Sequence, residues 1–269
     1  MQDLAGKTAF ITGGASGIGL GMATAFLKRG MQVVIGDIRP DRLQRARASL
    51  TEISEHVATI VIDTTISESL VEAAEFYETT FGNVHLLCNN AGIGGAGKVL
   101  DVPVEKWRRV IDVNLWGVLH GVKAFLPRML AHDEGGRVIN TASSTGIVGH
   151  HSQSNYGTSK FAVVGLSEFL RNDLEQELVS VSVLCPHVVD TPISYSDLAD
   201  TDTAAIAERK AAMPWFTKIA VEPEEVGNMV IRTIETDEFY IFCDGADSRE
   251  MLLWRNQQML DAMNRQFPA

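Results

Sequence analysis

Cysteine is scarce in this chain: three in 269 residues, Cys88, Cys185 and Cys243. They are too few and too scattered for a disulfide framework or a thiolate zinc site. Cys88 and Cys185 each end an apolar run and read as buried free thiols. The seven histidines fall at no HExxH or comparable ligand spacing, so no metal is assigned. No apolar run approaches the ~18 residues a membrane-spanning helix needs. The opening MQDLAGKTAFITGG enters a strand-like run at once and leaves no room for a signal peptide, so the expectation is a cytoplasmic protein without a membrane partner. Positive charge is also in deficit: 23 Lys and Arg against 34 Asp and Glu give a formal net charge of −11, which disfavours nucleic acid and anionic membranes.

What is present is a core. Hydrophobic residues make up 45% of the chain, and they are patterned. Apolar strand-like runs at residues 7–12, 32–36, 57–62, 84–88, 137–141, 180–184 and 239–242 alternate with helical spacing at 18–29, 41–53, 67–81, 104–113, 115–131, 155–177 and 223–236. The strand runs are continuously apolar, as strands covered on both faces must be. This order predicts one doubly wound α/β domain over residues 1–269, a parallel sheet with helices on both faces and ligands at its carboxyl edge. Residues 192–220, rich in Ser, Asp, Thr and Ala, form the least regular stretch and read as an insertion near the substrate, and residues 246–269 as a C-terminal helical extension.

Directly after the first strand comes Thr12-Gly13-Gly14-Ala15-Ser16-Gly17-Ile18-Gly19. Glycines let a chain turn sharply and bring its backbone close to a pyrophosphate, and the helix that follows points its amides and positive dipole end at that anion. Asp37 ends the second strand at the place where a carboxylate accepts hydrogen bonds from an adenosine ribose and repels a 2′-phosphate. Ser16, not Lys or Arg, occupies the turn. Arg39 is the one residue that argues the other way, since it can reach a phosphate. The balance favours NAD over NADP.

The TGxxxGIG turn, Asn89-Asn90-Ala91-Gly92 after the fourth strand, Ser143, and the YxxxK stretch Tyr156-Gly157-Thr158-Ser159-Lys160 together resemble the short-chain dehydrogenase/reductase family. The resemblance runs from about residue 7 to residue 242. It implies a Rossmann-type fold and four catalytic positions, Asn114, Ser143, Tyr156 and Lys160. Tyr156 and Lys160, four apart on a predicted helix, share a face. A nearby ammonium and the positive nicotinamide would lower the phenol's pKa, so that Tyr156 serves as base toward an alcohol or acid toward a carbonyl. Ser143 would bind the substrate oxygen, Lys160 would also hold the nicotinamide ribose, and Asn114 would anchor a water linking Lys160 to solvent. By the same resemblance Asp63 would meet the adenine. Asn89, Asn90, Ala91 and Gly92 would line the cofactor cleft, with Pro186, Val189 and Thr191 along the carboxamide loop.

Two departures from the family pattern stand out. Where the family usually has Pro-Gly, this chain has Pro186-His187, and His187 reads either as a pocket residue or as a tolerated loop residue. The C-terminal run carries Met251, Leu252, Leu253, Leu260 and Met263, which read as core packing or as cover for the pocket or a subunit contact. Candidate pocket residues are Gly94, Gly95, Thr145, Ile147, His150, His151, Gln153, His187, Trp215 and Phe216. They are mainly apolar or aromatic, without clustered Arg or Lys, and suggest a secondary alcohol or ketone with an apolar or aromatic body. An NADP(H)-dependent carbonyl reductase and a non-catalytic nucleotide-sensing regulator are the alternatives. Val118, Leu119, Val122, Phe161, Val164 and Phe169, on the helices before the fifth and sixth strands, exceed one buried stripe and suggest a homo-oligomer, a tetramer or dimer.

Overall fold

The computed structural model describes residues 3–195 and 202–268, the side chains of residues 215 and 217 excepted. The elements run β1 (Thr8–Thr12), α1 (Gly17–Lys28), β2 (Gln32–Asp37), α2 (Pro40–Thr51), β3 (Val57–Val61), α3 (Ser67–Phe81), β4 (Leu86–Asn89), α4 (Val104–Ile111), a π-helical turn (Asp112–Trp116), α5 (Gly117–Leu130), β5 (Gly136–Thr141), α6 (Ser154–Asp173) and β6 (Val179–Cys185). Then come α7 (Thr203–Ala211), α8 (Pro214–Ile219), α9 (Pro223–Thr236), β7 (Tyr240–Phe242) and α10 (Ala246–Gln266). The seven strands form one sheet in the order β3-β2-β1-β4-β5-β6-β7, and every pairing is parallel. The chain reverses direction across the sheet between β1 and β4, which opens a crevice at their carboxyl ends.

Side chains alternate across each strand, so a run apolar at every position feeds two cores. In β1, Ala9 and Ile11 join one core while Phe10 joins the other. In β2, Val33 and Ile35 divide from Val34 in the same way. The first core lies under α1, α2 and α9 and includes Met22, Phe26, Leu43 and Ile231. The second lies under α3, α5 and α6. There Phe10 stacks on Phe125 at 4.4 Å, and Tyr77 meets both rings edge-on. All three cysteines are free and buried.

Several expectations need correction. The segment 192–220 is not irregular in its described part. It holds a 3-10 turn at Pro192–Tyr195 and the helices α7 and α8, both short and the first without a buried face, which is why hydrophobic periodicity misses them. Val118 and Val122 lie in the second core and Val164 packs against it, so the apolar excess expected on those helices is largely internal. Leu119 and Phe161 are half-buried outside that core, and Phe169 is 73% exposed. In α10 the expected core packing is met by Met251 and Leu252, but Leu253, Leu260 and Met263 face outward. Among the described residues no helix is long and apolar enough to cross a membrane.

Candidate active site

The glycine turn folds as its residues require. Gly13 has φ +63°, and a Cβ there would lie 2.8 Å from the Ala91 backbone, so only glycine fits. A Cβ on Gly19 would stand 2.3 Å from the Gly13 carbonyl oxygen. The turn is therefore a cradle from which side chains are excluded. At the start of α1 no side chain caps the helix and no acidic residue sits in the first turn, so the amides of Gly17, Ile18 and Gly19 remain open to an anion. Ser16 is the N-cap residue, but its hydroxyl makes no capping bond. These features fit a dinucleotide pyrophosphate.

Asp37 is buried at the end of β2. Its carboxylate accepts from Ala15 N at 3.3 Å and Arg39 N at 3.0 Å, tying the glycine turn to β2. The Arg39 side chain grips Asp41 with two bonds of 2.9 Å, and that pairing holds the Asp41 carboxyl at about 2. Asp63, half-buried after β3, accepts from Thr65 N and Oγ1 at 2.9 and 2.7 Å and so closes the turn into α3. Thr12 was not singled out from the sequence, yet its Oγ1 accepts from both Asn90 N at 2.9 Å and Ala91 N at 3.0 Å. The Asn90 amide donates back to the Thr12 carbonyl at 3.1 Å. Asn90, Ala91 and Gly92 thus stand at the crevice. Asn89 does not: it is buried between β4 and β5 and donates to Asn140 Oδ1 at 2.9 Å, because alternation along β4 turns it inward.

Asn114 sits in the π-helical turn between α4 and α5, the kind of local bulge that frequently occurs at functional sites. Its Oδ1 accepts from Ile93 N at 2.8 Å, and its Nδ2 donates to Ile93 O at 3.1 Å and Ser159 Oγ at 3.0 Å. Lys160, 3% exposed, donates from Nζ to the Thr141 carbonyl at 2.8 Å. Burial holds its ammonium down to about 8. Its Nζ also lies 5.6 Å from the centroid of the Tyr156 ring. A Cβ at Gly92 would stand 3.3 Å from Asn114 Oδ1 and 3.5 Å from Lys160 Nζ, so these groups meet at one point.

Ser143 Oγ accepts from Thr145 N at 3.2 Å, donates to the Pro186 carbonyl at 3.4 Å, and lies near enough to the Tyr156 hydroxyl to favour its ionised form. The Lys160 ammonium does not supply its expected share of the lowering of the Tyr156 phenol: desolvation raises it and Ser143 offsets this in part, while the Lys160 charge faces the ring rather than the hydroxyl. The four catalytic candidates nevertheless converge: two neighbouring hydroxyls, an ammonium over the phenol ring, and an amide holding the adjacent loop. A hydroxyl pair of this kind can bind one oxygen atom and pass a proton to or from it.

The remaining pocket candidates divide. Thr145 is buried, with Oγ1 lacking a partner. Gln153 is exposed before α6 and bridges to Gly97, while the would-be Cβ of Gly95 meets Asn155. Gly94 lies under Ile193, and Thr191 packs against Gly17. Val189 is buried in the first core and pairs with Val221. Ile147 is a core residue, not a pocket residue. Phe216 is buried edge-on against Tyr195, so it holds its own segment together rather than lining a pocket. The side chain of Trp215 lies outside the described residues. Sequence reading also missed Asp190, whose carboxylate binds both the Tyr195 hydroxyl and the Lys210 ammonium. His187 meets Asp244 and Asp247 of the α10 start, three ligand-type atoms within 4.8 Å of one another. Asp244, just before that helix, accepts from Ser248 N and Oγ, and the first-turn Asp247 answers the helix dipole.

Comparison with known proteins agrees with this geometry. Residues 7–202 match the short chain dehydrogenase family, and the chain belongs to it. A 1-deoxy-11-beta-hydroxypentalenate dehydrogenase of Streptomyces exfoliatus is 33% identical over 258 residues, covering 93% of this chain and 89% of that one. A Burkholderia phymatum short chain dehydrogenase/reductase in complex with NAD superposes with a TM-score of 0.87 at 30% identity, covering 97% of each chain. An actinorhodin polyketide ketoreductase variant with NADPH superposes with a TM-score of 0.77 at 28% identity, covering 91% of this chain and 98% of that one. The family binds a nicotinamide cofactor and contains dehydrogenases and reductases of hydroxyl and keto groups.

Proposed function

We propose that this chain is an NAD(H)-dependent dehydrogenase that interconverts a secondary alcohol and its ketone, on a substrate with an apolar or aromatic body. The bound nicotinamide supplies the hydride chemistry. Tyr156 takes the hydroxyl proton or returns it to the carbonyl oxygen. Ser143 holds that same oxygen and the charge that develops on it. Lys160 holds the nicotinamide ribose, and Asn114 fixes the loop at Ile93 beneath it. Gly13, Ser16, Gly17, Ile18 and Gly19 take the pyrophosphate, Asp37 the adenosine ribose and Asp63 the adenine. Asn90, Ala91, Gly92, Pro186, Val189 and Thr191 enclose the rest. The observation that carries NAD is Asp37: a buried carboxylate fixed by two backbone amides, beside an Arg39 turned toward Asp41. Neither Lys nor Arg occurs in residues 94–97, 143–153 or 186–190, which supports an uncharged substrate body.

The test is direct. Titration of protein fluorescence with NADH and NADPH gives the cofactor preference, and a panel of secondary alcohols with NAD⁺ and NADP⁺ gives the activity. Tighter NADPH binding by the wild type defeats the NAD reading and favours the carbonyl reductase. Binding without turnover on the whole panel favours a nucleotide-sensing regulator. The exposure of Phe169 and Trp116 supports self-association as a dimer or tetramer, which sedimentation at micromolar concentration checks.

A further inference from the structure

His187 joins two regions that lie far apart in sequence. Its Nδ1 is 3.8 Å from Asp244 Oδ2 and 3.7 Å from Asp247 Oδ2, at the start of α10. From the segment between β5 and α6, His150 lies within electrostatic reach; burial first and His187 second hold its imidazole below the ordinary histidine value. The residue immediately before His187 is Pro186, whose carbonyl accepts from Ser143 Oγ and, at 2.8 Å, from Ser144 N. The imidazole is therefore anchored one residue from the contact that holds Ser143, and its side chain is partly buried.

The two nitrogens of an imidazole point out of opposite sides of the ring, and the partner of one fixes the tautomer of the other. With Nδ1 turned to two carboxylates, Nε2 is directed away from α10. No hydrogen bond to Nε2 occurs among the described residues. A group placed there meets three constraints. An anion is repelled by the carboxylates behind the ring. A wholly apolar surface leaves a desolvated nitrogen without a partner. A neutral oxygen satisfies the nitrogen and avoids the repulsion.

Resting on the alcohol–ketone reading above, we propose that His187 is a specificity-determining residue whose Nε2 faces the cleft. It selects substrates that carry, besides the reacting carbinol or carbonyl, a second neutral hydroxyl or keto oxygen. Asp244 and Asp247 orient the ring and exclude an acid at the same place. The substrate class is then a hydroxylated or keto-bearing secondary alcohol on an apolar framework, not a simple alcohol and not a hydroxy acid.

The experiment compares alcohols that differ by one hydroxyl, cyclohexanol with cyclohexanediol and indanol with indanediol, with hydroxycyclohexanecarboxylate as the anionic arm. The kcat/KM values are measured with NAD⁺ and with NADP⁺ for wild type, His187→Phe, His187→Gln and Asp247→Asn. Wild type prefers the diol of each pair. His187→Phe, which keeps a ring without nitrogen, lowers that preference roughly tenfold, the worth of one hydrogen bond. The plain alcohol loses less than the diol, and NADH affinity reports any disturbance of the loop itself. His187→Gln retains most of the preference, and Asp247→Asn improves the hydroxy acid several-fold without improving the diol. An equal loss on both members of each pair, or no loss on the diol, overturns the proposal while leaving the alcohol–ketone reading intact. Failure of the wild type to oxidise any compound with either cofactor removes that reading, and this proposal with it.

Discussion

The Lys160 ammonium lies over the face of the Tyr156 ring and gives its hydrogen bond to the Thr141 carbonyl, not to the phenol oxygen. The pair shares a helix face through its four-residue spacing, yet in this structure the side chain that favours the ionised phenol is Ser143. On the proposed roles, the phenol's proton chemistry can then be removed while the lysine's contact with the nucleotide stays.

Tyr156→Phe removes one oxygen and leaves the ring over Lys160. Turnover is expected to fall by roughly 10²–10⁴, the usual contribution of positioned acid–base catalysis. NADH affinity should stay near wild type, because the nucleotide cradle is untouched. Because burial raises the phenol, kcat/KM for alcohol oxidation in wild type should keep climbing with pH beyond neutrality, and that dependence should vanish in the variant. Steady-state kinetics beside NADH fluorescence titration decides; turnover within a few-fold of wild type rejects the assigned role.

Lys160 costs stability for the sake of its site. Its pKa is held at about 8 against an ordinary 10.5. Between those values the unfolded chain keeps a proton that the folded chain has released, so stability rises with pH from about 8 to 10.5. Below that window the buried charge costs about 3 kcal/mol at 1.36 kcal/mol per pKa unit. Lys160→Met should therefore be the more stable protein at pH 7, by about 1–3 kcal/mol once the lost bond to Thr141 is deducted. Its advantage should shrink toward the alkaline end, while NADH binding and turnover both decline. Parallel urea-unfolding curves for the two proteins across this range would show that the lysine's ionisation is not coupled to folding.

Much of this site is legible in the chain because its parts are local. The helix 67–81 and the helix 223–236 fall where spacing puts them, the second announced by Pro223 and two first-turn glutamates. The glycine turn and the Tyr156–Lys160 pair are equally local. What escapes is set by tertiary contact. Neighbouring Asn89 and Asn90 read alike, and only strand alternation sends one into the core and the other to the crevice. The meeting of His187 with Asp244 and Asp247 depends on where α10 docks, which no sequence spacing encodes. The helix α7 lacks a buried face, although Asp202, accepting from Ala205 N, is a capping signal that marks its start.

Asn114 is a structural keystone on this geometry. Its amide serves Ile93 N, Ile93 O and Ser159 Oγ, in a place with no access to solvent. Asn114→Ala leaves Ile93 N and O without this partner, while Ser159 Oγ keeps its bond to the Tyr156 carbonyl, at roughly 1–3 kcal/mol for each group that stays desolvated. A net loss of about 2–4 kcal/mol is expected by urea unfolding, with Ile93 and Gly92 displaced beside Lys160. A loss under about 0.5 kcal/mol would mean that water replaces the amide without strain.

On the NAD reading, Asp37 is the residue that sets the cofactor preference. The Arg39–Asp41 pair is half-exposed, and such pairs are worth about 0–1 kcal/mol, so it does not by itself keep Arg39 from a 2′-phosphate. The Asp37 charge must do that. Asp37→Asn keeps the shape and an acceptor for the turn but removes the charge that holds the ribose hydroxyls. One charge-assisted hydrogen bond is worth about 1.5–3 kcal/mol, so NADH affinity should drop about tenfold to a hundredfold. NADPH affinity should rise, since the like-charge repulsion is gone. Adding Asp41→Asn withdraws a carboxylate that grips Arg39 and should improve NADPH a further few-fold, with little effect on NADH. Fluorescence titration of the wild type and both variants with each nucleotide measures all six affinities. A wild type that already favours NADPH, or an Asp37→Asn variant with unchanged NADH affinity, would place the carboxylate off the ribose and leave it only its bonds to Ala15 and Arg39.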